Sequence, residues 1–115
     1  MRLLGIDTPE TVDPDEPVGC FGPEASARTK QLVPPGTAVR LERDEEARDR
    51  YGRLLAYVHR SDDGTFVNEA LLREGYAETL IIEPNHAYAG RLLSAQDEAQ
   101  ASGAGLWSAC STSTG

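Results

Sequence analysis

The chain has 115 residues, of which 39% are hydrophobic and 26% are charged, and its formal net charge is −8 at pH 7. These values are typical of one globular domain, and no apolar run approaches the length that a membrane-spanning helix needs. The acidic balance argues against tight, non-specific binding to duplex nucleic acid, so phosphate chemistry would require a local arginine cluster or a bound metal ion.

The first predicted element is an apolar strand that ends in an oxygen-rich turn, within residues 2–10. Pro9 fixes its own φ and pushes Thr8 toward an extended conformation, which aims the Thr8 carbonyl beside the carboxylates of Asp7 and Glu10. Oxygen atoms crowded at the end of a strand suit a hard cation such as Ca²⁺. The more ordinary explanation is that the acids only solvate a turn.

Arg2 lies at the start of the same strand. It precedes Asp7 by five positions, so in a straight strand the two side chains leave from opposite faces. A strong twist or a bulge would bring Arg2 round to the side of the carboxylates. The sequence leaves both arrangements open.

The next part of the chain predicts a loop, a helix and a strand. Residues 11–19 are rich in proline and acids and predict an exposed loop. A helix is expected over 22–33, because a proline occupies its first turn and a proline pair follows its end. Alternating residues predict a strand over 37–43, and the run of mixed charges over 42–50 predicts a mobile loop.

A hairpin and a short helix are predicted next. The apolar stretch 54–58 predicts a strand, and a turn over 62–64 connects it to a short strand over 65–67. Asn68 is a candidate N-cap for a helix over 69–74, which the following glycine would end.

The last third predicts a strand over 76–82 and a helix that begins at Pro84 and ends at Ser102. The apolar stripe of this helix is Tyr88, Leu92, Ala95 and Ala99. We expect one domain over 1–110, onto which Trp107 packs, and a loose tail over 111–115. Short strands with appended helices predict an α+β fold whose sheet is a small barrel.

Residues 49–53, with the sequence Asp-Arg-Tyr-Gly-Arg, form a second candidate site. Arg53 leaves from the start of a strand immediately after a glycine, where its guanidinium could hold two phosphate oxygens at once. The alternative, which these residues alone favour, is a surface arginine paired with Asp49 or Glu46.

Cys20 and Cys110 permit one disulfide, which in the chain-entropy model would stabilise the fold by roughly 4 kcal/mol because it closes a long loop. Two unrelated buried thiols or half of a metal site are the alternatives, although no neighbouring histidine or second cysteine supports a metal. A disulfide would indicate an oxidising compartment, extracellular or in the cell envelope, although the first residues have no secretory-signal pattern.

Five blocks in the same order, covering nearly the whole chain, resemble the staphylococcal nuclease (thermonuclease) family. The blocks are RLLGIDTPE at 2–10, GPEASA at 22–27, DRYGRLLAY at 49–57, VNEAL at 67–71 and LWS at 106–108. Each block alone is weak, but five in register are highly specific. The resemblance implies an OB-fold barrel with three helices and a Ca²⁺-dependent endonuclease that hydrolyses phosphodiester bonds of DNA and RNA.

The resemblance also implies roles for the residues at the end of the first strand. Asp7 looks like a metal-ligand carboxylate, and Thr8 looks like the ligand that supplies a backbone carbonyl. Glu10 looks like the carboxylate that positions and activates the attacking water.

Four further residues match substrate-binding positions of the family. Arg2 and Arg53 look like the two arginines that grip the scissile phosphate, and Arg50 and Tyr51 match positions that line the nucleotide pocket. Fixed cations of this kind offset the charge that builds on phosphate oxygens during attack.

The chain also departs from the family pattern. In the family, two strands and an Asp-Gly-Asp-Thr turn that supplies a further metal aspartate precede the arginine strand, so we expect this chain to lack them. The family's base-stacking tyrosine is replaced by an aliphatic residue near Ile81, and Tyr88 lies too far along to replace it. Bacterial relatives often carry cysteines in the regions of Cys20 and Cys110, which favours the disulfide.

Three interpretations therefore remain open. The first is a metal-dependent nuclease, which prefers single-stranded or denatured DNA or RNA and needs no membrane. The second is a non-catalytic OB module that binds single strands or protein, and the third is a truncated product. In the third, a partner or strand exchange between copies would complete the exposed barrel edge. Retention of Arg2, Asp7, Glu10 and Arg53 favours the nuclease, while His59 and His86 are expected at the surface or behind the site.

Overall fold

A computed structural model describes residues 2–8 and 20–110, and within these ranges it contains five strands and four helices. The strands are Arg2–Leu3 (β1), Gly5–Asp7 (β2), Val39–Glu42 (β3), Leu55–Arg60 (β4) and Glu78–Leu80 (β5). The helices are Gly22–Leu32 (α1), Val67–Arg73 (α2), Ala89–Ser102 (α3) and Leu106–Ala109 (α4). The α+β class is confirmed. Among the described strands there are two small sheets and no closed barrel.

The first predicted strand is two strands, which belong to different sheets. β1 pairs in parallel with β4, whose other neighbour is the antiparallel β3, whereas β2 pairs antiparallel with β5. The break falls at Leu4 and Gly5, and Gly5 has a φ of 79°. A Cβ there would overlap the Cδ1 of the fully buried Leu92, so glycine is required for this bend to pack against α3.

Asn68 holds this bend in place and is not the predicted N-cap. It lies inside α2, whose N-cap is Phe66, and its side chain is fully buried. Its Oδ1 accepts a hydrogen bond from the Val58 amide at 2.9 Å, and its Nδ2 donates to the Leu4 carbonyl at 2.8 Å. One carboxamide therefore joins α2, β4 and the β1–β2 bend.

Several element boundaries differ from the sequence-based expectation. The strand expected over 65–67 is a single bridge between His59 and Phe66, because α2 already begins at Val67. The last long helix begins at Ala89, since the residues after Pro84 form turns instead, and the short α4 was not anticipated. The strand expected over 76–82 is reduced to β5.

The core lies between β4, α2 and α3. Its largest fully buried apolar side chains are Tyr57, Val67, Leu71, Leu72 and Leu92. Each buried side chain of this size contributes about 1.5–3 kcal/mol relative to an exposed one. Three members of the predicted α3 stripe are buried, and the fourth, Tyr88, packs against the core from its edge. Among the described helices, none has the length and apolar character needed to cross a membrane.

A nearly buried carboxylate clamps α2 to α3. Glu69 accepts hydrogen bonds from Arg73 at 2.9 Å and from Arg91. Burial alone would raise the pKa of Glu69, but the hydrogen bonds from Arg91 and Arg73 outweigh burial and lower this pKa below its usual value. The ionised form therefore stabilises the fold.

We expect Asn68→Ala to destabilise the protein by about 3 kcal/mol, because the buried Val58 N–H and Leu4 C=O would lose their partner. Urea denaturation followed by circular dichroism measures the change in the free energy of unfolding. Gln100→Ala, which removes an exposed amide from α3, is the matched control and should change stability by less than about 0.5 kcal/mol. Equal effects of the two substitutions would contradict the role assigned to Asn68.

Glu69→Gln should lower the free energy of unfolding at neutral pH by about 1–2 kcal/mol, since both arginine partners are half exposed and solvent screens the pairs. Because the folded-state pKa of Glu69 is lowered, its contribution is complete above the unfolded pKa of about 4.3 and disappears as the pH falls through the folded pKa. The free energies of unfolding of the wild type and of Glu69→Gln should therefore converge as the pH is lowered from neutral to acidic values. A difference between the two free energies that stays the same at every pH would contradict the role of Glu69. Glu98→Gln, which changes a side chain that is 62% exposed, is the control.

Candidate active site

The corner at residues 49–53 is built around the carboxylate of Asp49. Its Oδ1 accepts hydrogen bonds from the backbone amides of Tyr51 at 2.9 Å and Arg53 at 3.0 Å, and its Oδ2 accepts from the Arg53 Nε at 2.7 Å. Partial desolvation would raise the pKa of Asp49, but the hydrogen bonds from the Arg53 backbone and guanidinium outweigh it and lower this pKa. The pairing of Arg53 with Asp49, one of the two alternatives left open above, is therefore present.

Tyr51 connects two arginines in an exposed cationic surface. The guanidinium carbons of Arg50 and Arg53 lie 4.9 Å and 5.3 Å from the centroid of its ring, and Arg50 Nη2 donates to the Tyr51 hydroxyl at 2.8 Å. Tyr51 remains 68% exposed, although large hydrophobic side chains are usually covered. Cation–π contacts on both guanidinium groups limit the motion of these side chains.

Arg2 reaches this surface from β1, which pairs with β4 in the same sheet. The Arg2 amide donates to the Leu54 carbonyl at 2.8 Å, so β1 lies alongside the start of β4 and places Arg2 next to Arg53. Both arginines line a cavity of about 520 Å³ and a neighbouring cavity of about 270 Å³. Thr8 lines only the smaller cavity. Arg2 thus lies with Arg53 at these two cavities, whereas Asp7 lines neither of them, so the cavities do not bring Arg2 and Asp7 together.

Asp7 is exposed at the end of β2, directly before Thr8, but it lines neither of these two cavities. Its antiparallel partner is Glu78, so two carboxylates leave the sheet on the same face. Glu10 lies outside the described residues. Within the described ranges, no group of three or more His, Cys, Asp or Glu side chains could hold a metal ion.

The larger cavity has further lining residues that were not named as site residues, although the family resemblance had placed a base-stacking position near Ile81. They include Leu80 and Ile82, which are exposed aliphatic residues, together with Glu46 and Asn85. Asn85 is buried, accepts a hydrogen bond from the Glu46 amide at 2.8 Å and donates to the Glu46 carbonyl at 3.2 Å. The sequence pattern that could have predicted this part of the cavity is the spacing of Leu80 and Ile82, which places both side chains on the same face at the end of a strand.

The charge run over 42–50, predicted as a mobile loop, is anchored at two points. Asn85 holds Glu46, and Asp44 Oδ2 accepts hydrogen bonds from the Tyr57 hydroxyl at 2.6 Å and the Ala87 amide at 2.9 Å. Burial and the bond to Asp44 raise the pKa of Tyr57. This segment is therefore a fixed wall of the cavity.

The larger cavity is locally cationic although the chain is acidic. It is lined by three arginines, Arg2, Arg50 and Arg53, and by two acids, Glu46 and Asp49. Screening over about 8 Å at physiological ionic strength limits the influence of distant surface carboxylates. An acidic chain would need a local arginine cluster for phosphate chemistry, and this cavity contains such a cluster.

The histidines and Tyr88 lie away from these cavities. His59 is buried, stacked on Phe66 with 4.7 Å between ring centroids, and its Nε2 lies 3.0 Å from Glu42 Oε1, so of its two expected places, at the surface or behind the site, the surface is wrong. Tyr88 donates to the same Glu42 oxygen at 2.8 Å. His86 is exposed and contacts Glu83, as expected.

Cys20 and Cys110, which are 90 positions apart in the sequence, form a disulfide in the structure. The disulfide joins the start of α1 to the end of α4. Because neither cysteine lines the two cavities, the disulfide does not belong to the site. Phe21, next to Cys20, stacks on Tyr76 with 5.3 Å between ring centroids, which fixes the same region.

Several arginines that line one cavity are typical of a site that binds phosphate. The family profile described as staphylococcal nuclease homologue matches residues 1–109, and the chain belongs to this family.

Curated relatives support the same assignment. The chain is 44% identical over 108 residues to a protein of Staphylococcus hyicus named thermonuclease, and 43% identical over 107 residues to the thermonuclease of Staphylococcus intermedius. It is also 43% identical over 110 residues to endonuclease YncB of Bacillus subtilis. These alignments cover 93–94% of this chain but only 62%, 62% and 51% of the relatives, so the chain spans less than two thirds of their length.

Asp49→Ala should loosen the 49–53 corner without unfolding the protein. The amides of Tyr51 and Arg53 would lose their acceptor, so we expect their hydrogen exchange to accelerate by about tenfold while the core amides of β4 remain protected. Hydrogen exchange followed by NMR measures both. Asp97→Ala, on an exposed position of α3, is the control. Unchanged exchange at Tyr51 and Arg53 would show that Asp49 does not organise the corner.

Proposed function

We propose that this chain is a nuclease, and more specifically a Ca²⁺-dependent endonuclease that hydrolyses phosphodiester bonds of DNA and RNA. The observation that carries the proposal is that Arg2, from β1, and Arg53, from the turn before β4, line the same two cavities. Membership of the staphylococcal nuclease homologue family and relatives named thermonuclease and endonuclease support it.

In this proposal Arg2 and Arg53 hold the scissile phosphate. Two guanidinium groups can donate to several phosphate oxygens and offset the negative charge that grows on them during attack. Because Asp49 and the Tyr51 ring already restrict Arg53, little side-chain entropy is lost when the phosphate arrives. Arg50 and Tyr51 complete the substrate surface on the side of the larger cavity.

Oxygen donors of the kind that calcium takes lie at the end of β2. Asp7 and the Thr8 carbonyl would hold it, and the Glu78 carboxylate beside Asp7 adds negative charge whose repulsion a cation would relieve. When bound, the ion supplies positive charge that polarises the phosphate. The residues of the chain bind the phosphate and orient the water.

Glu10 is proposed to orient and deprotonate the attacking water. The assignment rests on the family resemblance and on its place three residues after Asp7. A carboxylate within hydrogen-bond reach of a water molecule can accept its proton as the new P–O bond forms, and the departing oxygen leaves on the opposite side of the phosphorus.

A single-stranded or denatured substrate is favoured. The net charge of −8 disfavours a duplex, whereas exposed Leu80 and Ile82 offer an apolar wall against which an unstacked base can lie. The disulfide between Cys20 and Cys110 supports a location outside the cytoplasm, in an oxidising environment.

The test is cleavage of denatured DNA and of RNA with Ca²⁺ and with a chelator. We expect cleavage only with Ca²⁺, and we expect Arg53→Lys to lower kcat about 10²-fold because lysine cannot bind the phosphate through two parallel hydrogen bonds. Glu10→Gln should lower kcat by about 10²- to 10⁴-fold. Arg60→Lys, at the other end of β4 and paired with Asp62, should leave the rate unchanged.

Two results would contradict the proposal in different ways. Cleavage that persists in chelator would remove the calcium assignment. Binding of single strands without any cleavage under either condition would instead identify a non-catalytic binding module. Equal losses in Arg53→Lys and Arg60→Lys would show that Arg53 has no special role.

A further inference from the structure

The lining of the larger cavity combines two chemically different groups of residues. Three of its residues are the arginines Arg2, Arg50 and Arg53. It also includes Leu80 and Ile82, the latter 58% exposed, and the acid Glu46. A nucleotide that binds this cavity with its phosphate on the arginines would have its base among the remaining lining residues, which include this carboxylate.

Glu46 is held in position although its carboxylate is uncommitted. Both polar groups of its backbone are bound by the buried Asn85 carboxamide, whose own backbone amide donates to the Ile82 carbonyl at 3.0 Å. Within the described part of the chain, no hydrogen bond or ion pair uses the Glu46 side chain, whereas the other acid of the cavity, Asp49, is fully engaged. A fixed backbone with an available acceptor is suited to recognising a ligand.

We propose that Glu46 makes the larger cavity selective for guanine. An ionised carboxylate only accepts hydrogen bonds, and it can accept two in parallel. Guanine presents two adjacent donors, N1–H and the N2 amino group, on its Watson–Crick edge. Glu46 thus recognises the base while the arginines bind its phosphate, an inference that rests on the proposed nuclease function.

The other bases match this carboxylate less well. Adenine and cytosine each place a ring-nitrogen acceptor beside their amino group, which would face a carboxylate oxygen. Uracil and thymine present one N–H between two carbonyl acceptors. A bidentate match of this kind discriminates by about 1–3 kcal/mol per base, which corresponds to roughly 5- to 150-fold.

The experiment is isothermal titration calorimetry of the full chain with the 5′-monophosphates of guanosine, adenosine, cytidine and uridine, in Ca²⁺. We expect the guanosine nucleotide to bind about tenfold more tightly than the others. Glu46→Gln should remove that advantage and leave the other three affinities within about twofold. Glu45→Gln, which alters the neighbouring exposed acid that does not line the cavity, should bind like the wild type.

The outcomes separate the two proposals. Equal binding of all four nucleotides, or a guanosine preference that survives Glu46→Gln, overturns the role of Glu46, while Arg53-dependent cleavage of denatured DNA would still support the nuclease. A chain that cleaves nothing and binds no nucleotide overturns both. Circular dichroism of Glu46→Gln verifies that the substitution leaves the fold intact.

Discussion

The buried carboxamide of Asn68 is the interaction on which the site depends most. It bonds to a strand amide of β4 and to the carbonyl of Leu4, where the chain passes from one sheet to the other. Arg2 lies before this bend and Asp7 after it, so the bend sets the position of Arg2 relative to Asp7. Since an unpaired buried polar group costs more than a hydrogen bond gains, the bend and α2 stabilise each other.

A local electrostatic arrangement, and not the net charge, decides what the cavity can bind. Several acidic residues form ion pairs that stabilise the fold. Glu69 bridges α2 and α3, and Glu74 pairs with Arg28 at 2.6 Å. The two cavity acids only partly offset the three cavity arginines, and one of them, Asp49, holds Arg53 in place while Arg53 stays at the surface. An acidic protein can thus present a cationic site, while its overall charge limits unspecific contact with duplexes.

Sequence patterns predicted the elements whose cause is local. The prolines around α1, the apolar run of β4 and the spacing of Leu92, Ala95 and Ala99 in α3 each report a short-range preference, and the structure contains all three features. The break of the first strand, the burial of Asn68 and the cavity wall arise from partners far apart in sequence. Asn85 contacts Glu46 across 39 positions and Asn68 contacts Leu4 across 64, so no local pattern could reveal them. The arginine pair was found because the family resemblance, and not periodicity, identified Arg2.

Preorganisation of Arg53 has a cost as well as a benefit. Its Nε is engaged by Asp49, and a phosphate must therefore bind through the remaining N–H groups or compete with the carboxylate. Because the same carboxylate also holds two backbone amides, it cannot swing away without opening the corner. Shared use of the guanidinium, with Asp49 on one edge and phosphate on the other, is consequently the arrangement that the geometry favours. In the proposed function, an Arg53 held in this way would act on the charge that develops on the phosphate with little reorganisation of its own, which is the condition for electrostatic catalysis.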